Sequence, residues 1–282
     1  MVGPDDDWPK YSQPKASSKR RTLSDQMTVD SHLRICDTER TAVQRAEDAP
    51  IAHAAYPAGR FALPADCQRI VIVGAGGFGR EVLQWAREAW PDHASLVGGF
   101  LSDDPGRLTG FSTDVGILSA VCDYRPAVGD YLLLAIGVPY ARRQVAESLL
   151  AKQARFLTLV HPRALVAPTA LIGEGSIVCP FAIVSDAAVL GSFVLANYNA
   201  SLGHDSAAGE YAVLSPYATL GGGARIDDEV FLGLHASVGP GISIGARSKV
   251  SANSCALASA PSDSLVFGVP GRILQRISLV TG

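Results

Sequence analysis

The pair best suited to move a proton in this sequence is His204 and Asp205, an imidazole beside a carboxylate, directly after Gly203. The carboxylate raises the basicity of the ring and holds one tautomer, which leaves the other ring nitrogen to act as a general base. Asn197, seven residues earlier, carries an amide suited to orienting a sugar hydroxyl or amide. Eighteen residues after His204 stands Gly222, within the run Gly221 to Gly223, whose bare backbone amides could hold an oxyanion. Spacing alone leaves a plainer reading open for each: a solvated surface histidine and ordinary corner glycines. His235 has no acidic neighbour and reads as structural. Tyr211 and Tyr217 read as groove-lining or packing residues. His161, His204 and His235 are too far apart to converge on a zinc ion, and no motif supports a nucleophilic serine, so no metal is expected.

These residues sit in a stretch with one unbroken period. From Val160 onward, every sixth residue is aliphatic through Val166, Ile172, Val178 and so on to Val250. The fifth position of each hexad is nearly always small, as in Ala164, Ser176, Ala200 and Ala236. The second favours Gly, Asn, Ser or Asp. A period of six fits neither a helix nor a free strand and marks a repeat architecture. The physical reading is a parallel β-helix in which each hexad is a short strand plus a corner. The aliphatic and small residues point into a narrow prism, and second-position glycines serve corners that need unusual backbone angles. Three hexads close one coil, so residues 18 apart should stack.

Ahead of the repeat, Arg69 to Val73 reads as a buried strand, followed by Gly74, Gly76, Gly77, Phe78 and Gly79 and then a helix from Arg80 to Trp90. Strand, glycine turn and helix in that order let a backbone approach a phosphate at the positive end of the helix. A second strand, 96–101, ends in Ser102, Asp103 and Asp104, where a Rossmann unit places an acidic residue for a ribose or base. A third strand, 131–136, leads through Gly137 into a helix over 141–154, opened by Arg142 and Arg143, and a strand over 156–160 enters the repeat. About 90 residues leave room for one βαβαβ half, which favours a mononucleotide or nucleotide-sugar over a full dinucleotide. The alternative is a glycine turn that merely packs helix on strand.

Composition narrows the rest. A net charge of -3 on 282 residues, with pI near 6.1, offers no electrostatic case for nucleic acid or a polybasic membrane contact. The five cysteines are scattered without a CxxC pair, which suits free thiols in a reducing cytoplasm. No apolar run approaches the ~18–20 residues that span a bilayer, and no apolar leader is present, so the expected location is cytoplasmic. Residues 1–66 are polar, with Asp5 to Asp7 followed by a basic, serine-containing run, and read as a disordered extension with a short polar helix over 31–46. The domains expected are therefore this extension (1–66), a small Rossmann-like domain (67–159) and a β-helix with its C-terminal segment (160–275, to 282).

Taken together, Ile70 to Val82, Gly99 to Asp104, Leu134 to Gly137, His161-Pro162, the hexads, Gly203 to Asp205 and Gly268 to Arg272 resemble the sugar O-acyltransferase family of hexapeptide-repeat transferases. That family includes sialic acid O-acetyltransferases and bacillosamine- and perosamine-type N-acetyltransferases of bacterial glycan synthesis. The resemblance covers residues 69 to about 275. It implies a left-handed β-helix, a homotrimer with active sites between subunits, and acetyl-CoA as co-substrate in a groove between neighbours. It implies His204 as general base and Asp205 as its partner. Gly76, Gly77, Phe78, Asp103, Asp104 and Gly137 would hold the nucleotide-sugar, and Val213, Gly222 and Leu234 would line the acetyl-CoA site. Gly268 to Arg272 match a motif near the adenosine end of the coenzyme.

Three departures stand out. Val213 replaces a histidine that some members carry, Gly203 replaces a bulkier residue, and the extension has no counterpart. The activity expected is N-acetylation of a nucleotide-linked amino sugar, by base catalysis in a ternary complex. The alternatives are O-acetylation of sialic acid or another sugar hydroxyl, or a non-catalytic nucleotide-sugar-binding scaffold.

Overall fold

The computed structural model describes residues 61–275. The helix expected over 31–46, and the extension except for its last residues, lie outside that range. Four short strands, β1 (Arg69–Val73), β2 (Val97–Leu101), β3 (Ile117–Ser119) and β4 (Asp130–Leu134), form a parallel sheet in the order β3-β2-β1-β4. β1 and β4 are buried on both faces, which is why they are near-continuous aliphatic runs. Ile70, Ile72 and Leu133 face helix α1 (Gly77–Ala89) through Val82, Leu83 and Trp85. Val71, Val73, Leu132 and Leu134 face helix α2 (Pro139–Leu150) through Ala146 and Leu149.

Both helices start earlier than their apolar spacing suggests. Gly77 can open α1 without a capping side chain, and Pro139 supplies a φ preset for the first turn of α2. Strand β3 has no signal in the sequence: it is three residues long, and Leu118 is exposed.

The repeat is a left-handed parallel β-helix with three faces. Face 1 stacks the strands beginning at Leu159, Ile177, Leu195, Val213, Phe231, Lys249 and Ser264. Face 2 stacks those beginning at Leu165, Ile183, Ser201, Thr219, Ser237 and Cys255. Face 3 stacks those beginning at Leu171, Val189, Ala207, Arg225 and Ser243. Pairing runs at the expected stagger of three hexads, as in Val189 with Ala207 and Ala207 with Arg225. First- and fifth-position residues fill the prism as one aliphatic and alanine core.

The reason for the second-position glycines differs from the one expected. Positive φ falls on the fourth position, mostly on larger residues such as Phe193 (φ 58), Asp205 (φ 58), Tyr217 (φ 62) and His235 (φ 54). At the second-position glycines the next coil runs too close for a side chain. A Cβ on Gly203 would lie 2.8 Å from the Gly222 nitrogen, and one on Gly245 would lie 2.3 Å from the Ser262 nitrogen. Spacing between coils selects glycine there, and backbone angle does not.

The α/β domain packs on face 1. Outward-facing Leu159, Ile177, Leu195 and Val213 are buried together with residues of α1 and the sheet. Phe193 and Tyr211, at the edge between faces 3 and 1, stack at 5.1 Å and join Phe156 and α2 in a second cluster. Arg142 fastens this junction. Its fully buried guanidinium donates to the carbonyls of Leu134 and Ile136 at the end of β4 and to those of Phe193 and Gly175 in the solenoid, at 2.6–3.4 Å. Its partners are carbonyls, and burial lowers its pKa to about 9. Nearby, buried His161 bonds Glu88 of α1 through Nε2 at 2.8 Å while its Nδ1 accepts the Arg163 N–H. Burial outweighs the Glu88 carboxylate and holds the His161 pKa below its ordinary value.

The segment Gly268 to Gly271 turns the chain back into an antiparallel pair, Ser264–Phe267 with Arg272–Gln275, and Gly271 donates its N–H to the Cys255 carbonyl at 2.7 Å. Among the described residues no helix is long and apolar enough to cross a membrane, and no cluster of three or more His, Cys, Asp or Glu is arranged to hold a metal.

Candidate active site

His204 and Asp205 sit at the edge between faces 2 and 3, in the corner that joins Ser201–Leu202 to Ala207–Ala208. Consecutive side chains ordinarily diverge. Here Asp205 takes a left-handed backbone, which Asp tolerates better than most residues, and its Oδ2 reaches the His204 Nδ1 at 2.8 Å. The carboxylate accepts the Nδ1 proton, which leaves the Nε2 lone pair free. Both side chains are mostly exposed, 72% and 68%.

One coil on, the ring lies directly against Gly222. A Cβ there would sit 2.6 Å from Nε2 and 2.7 Å from Cε1, so the imidazole occupies the space that only glycine leaves. Gly223 donates its N–H to the His204 carbonyl at 2.8 Å and pins the corner, while the Gly222 N–H has no backbone acceptor among the described residues. A base and an unpaired amide therefore share one small surface.

The other candidates lie elsewhere. Asn197 is at the edge between faces 1 and 2, where its Oδ1 accepts the Tyr198 N–H at 2.8 Å. Leu234 is half exposed at that same edge, beside Tyr217 and His235, whose rings stack at 4.6 Å. Val213 is 2% exposed beneath the α/β domain of its own chain, so its side chain faces that domain and not an open groove. A cleft of about 390 Å³ lies between the start of α2 and the edge joining faces 3 and 1, lined in part by Tyr140, Phe231 and Lys249. It contains none of these candidates.

At the α/β domain, the glycines form the turn from β1 into α1. Gly74 has φ +108, and a Cβ on Gly79 would fall 1.9 Å from the Gly74 carbonyl oxygen, so helix and turn meet at van der Waals limits. Gly76 and Gly77 occupy the start of α1, which has no capping side chain and no acid in its first turn. Phe78 is half buried and meets Trp85 edge-on at 6.0 Å. Gly137 is open, with nothing within 4 Å of a would-be Cβ. Asp103 accepts the Val121 N–H at 2.8 Å and Asp104 the Gly106 N–H at 2.9 Å, so each has one oxygen committed to building its loop.

Sequence reasoning missed two residues near these elements. The role of Arg142 gave no signal because two of its carbonyl partners, Gly175 and Phe193, come from separate coils of the solenoid. Arg107, in the loop built by Asp103 and Asp104, lies across the glycine turn, with its Nη2 3.5 Å from the position of a Cβ on Gly76.

Known proteins share this sequence pattern and fold. Residues 69–149 match the PglD N-terminal domain family. The chain is 29% identical over 218 residues to GDP-perosamine N-acetyltransferase of Escherichia coli O157:H7, which covers 73% of this chain and 96% of that protein. It is 35% identical over 113 residues to UDP-N-acetylbacillosamine N-acetyltransferase of Bacillus subtilis strain 168, which covers 39% of this chain and 50% of that one. The solved acetyltransferase domain of PglB from Neisseria gonorrhoeae FA1090, in complex with acetyl coenzyme A, superimposes with a TM-score of 0.65 at 27% identity, covering 74% of this chain and all of that one (100%). The resemblance carried by the motifs therefore holds in both halves of the described chain, and its relatives are acyl-CoA-dependent sugar acetyltransferases.

Proposed function

We propose that this protein transfers an acetyl group from acetyl-CoA to the amine of a nucleotide-linked amino sugar. The observation that carries the reading is the His204 ring, oriented by Asp205 and seated on Gly222 beside an unpaired amide. The neutral sugar amine attacks the thioester carbonyl while Nε2 removes its proton. The Gly222 N–H receives the developing oxyanion. Collapse expels the thiolate, which takes the proton from the imidazolium and leaves as CoA thiol beside the new amide.

Acceptor binding belongs, in this reading, to the α/β domain, through Gly76, Gly77, Phe78, Asp103, Asp104 and Gly137 at the carboxyl ends of the parallel strands. Asn197 contributes from the edge between faces 1 and 2. Gly222 and Leu234 line the thioester's path, and Val213, covered by the α/β domain of its own chain, does not.

Topology supports a homotrimer. His204 is on the edge between faces 2 and 3, the edge opposite face 1, and the α/β domain of the same chain covers face 1. A sugar held by that domain cannot turn the prism to reach its own chain's base, so the base comes from a neighbouring copy. Exposed Leu165, Ile183, Leu171 and Val189 on faces 2 and 3 supply apolar surface for such packing.

The test is thiol release from acetyl-CoA with a panel of UDP-, GDP- and dTDP-linked amino sugars, with free sialic acid and other sugar hydroxyls in parallel. Acetylation of an amine on at least one nucleotide-linked sugar is expected. Release only with hydroxyl acceptors, or nucleotide-sugar binding without release, would overturn the reading.

A further inference from the structure

We infer that Arg107 is the diphosphate-binding residue of the acceptor site, delivered to the glycine turn by the loop that Asp103 and Asp104 build. The inference rests on the nucleotide-sugar reading above. The start of α1 is the positive end of a helix dipole, where backbone N–H groups lack intrahelical partners and acidic residues are the stabilising choice. This helix has no acid in its first turn and no capping side chain.

Two guanidinium groups converge there instead. Arg107 lies against Gly76, with Nη2 and Nε at 3.5 Å and 3.8 Å from the position of a Cβ, and Arg80 Nη2 lies 3.9 Å from the same position on Gly77. Arg80 is held in place over the Phe111 ring at 3.5 Å. The Arg107 guanidinium makes no ion pair or hydrogen bond with the described residues. Cations stacked on a helix N-terminus repel it, and the arrangement becomes favourable once a multiply charged anion lies between them. A diphosphate has the charge and the length to bridge the turn amides and a planar guanidinium fork.

The surrounding loop is arranged to hold Arg107 at this place. Asp104 Oδ1 accepts the Gly106 N–H at 2.9 Å, the Arg107 N–H bonds the Asp104 carbonyl at 3.2 Å, and Asp103 ties the far side of the loop to Val121. The acidic pair thus has a positioning task besides any contact with ribose or base.

The experiment is calorimetric titration of the full chain with UDP, GDP and dTDP and with the matching monophosphates, for wild type, Arg107→Ala and Arg107→Lys. Wild type should prefer the matching diphosphate to its monophosphate. Arg107→Ala should lose about tenfold or more in diphosphate affinity, as for a charge-assisted hydrogen bond, and should level the two ligands. Arg107→Lys should recover part of the loss. With the best nucleotide-sugar acceptor, KM should rise by a similar factor while kcat stays within about twofold, the signature of binding shared by ground and transition states. Because Arg107 is exposed on a loop, thermal melting should be unchanged. Diphosphate affinity within about twofold of wild type in Arg107→Ala would overturn the inference while leaving the nucleotide reading intact. Absence of any nucleotide or nucleotide-sugar binding by wild type would overturn both.

Discussion

Two parts of the molecule use basic side chains in opposite ways. At the junction between the α/β domain and face 1, Arg142 and His161 are buried and bonded on every side. At the edge between faces 2 and 3, His204 is bonded on one side only and stands in solvent over a glycine. Burial elsewhere often marks reactive groups, because it perturbs pKa values. In this protein the perturbed groups hold the structure together. The residue proposed as the general base is instead exposed, on a rigid rail.

The sharpest way to break that contrast is His204→Ala. It should lower kcat by about 10²–10⁴-fold if His204 is the general base. Melting should be unchanged, since the ring makes no core contact. A variant with near wild-type turnover would remove His204 from the chemistry.

Arg142→Met is the converse. It leaves four carbonyls without their donor and should cost about 2–5 kcal/mol in chemical denaturation. If the loss were under about 0.5 kcal/mol, Arg142 would not be the fastener of the two domains.

Gly222→Ala tests whether the rail sets the base. The added methyl would occupy the space of Nε2 and Cε1, and the displaced ring should lose about 10²-fold in kcat, a loss typical of misplacement by about an ångström. Unchanged kcat would mean that the ring can be displaced without penalty.

The smallest effect concerns acid. The folded-state pKa of His161 lies below the ordinary histidine value because of burial, so below about pH 6.5 the unfolded chain takes up protons that the folded chain refuses. Stability is then fully present above that pH and falls as the pH drops towards the folded value. His161→Asn should flatten this part of the stability curve, measured by urea denaturation from pH 8 to pH 5. A separate loss should begin near pH 4. There burial raises the Asp130 carboxyl, but Arg69 and Tyr124 outweigh it and hold it below the usual range, so protonation favours unfolding. An unaltered profile in the His161 variant would assign the upper window to other groups.

Much of this architecture was legible in the chain because its signals are local. A hexad needs only its own residues to declare which side chains point inward, and the strand-glycine-helix order of 69–90 is readable for the same reason. Legibility stopped where causes are distant. The second-position glycines look like turn residues until the next coil is seen running 2.3–3.3 Å from their missing Cβ atoms. Nothing around Arg142 in sequence hints that carbonyls at 134, 136, 175 and 193 converge on it. Likewise Arg107 is one basic residue in a polar loop until the loop is folded over Gly76.

The sequence by itself determined the period, and with it the stacking of His204 over Gly222, because three hexads to a coil leave no freedom in that register. It also set the strand, glycine turn and helix that open the α/β domain. Only the tertiary structure decided which face of the prism that domain covers. The covering depends on outward-facing Leu159, Ile177, Leu195 and Val213 lying on one face, brought together from separate coils. By taking face 1, the domain left the His204 edge on the far side, open to solvent within a single chain.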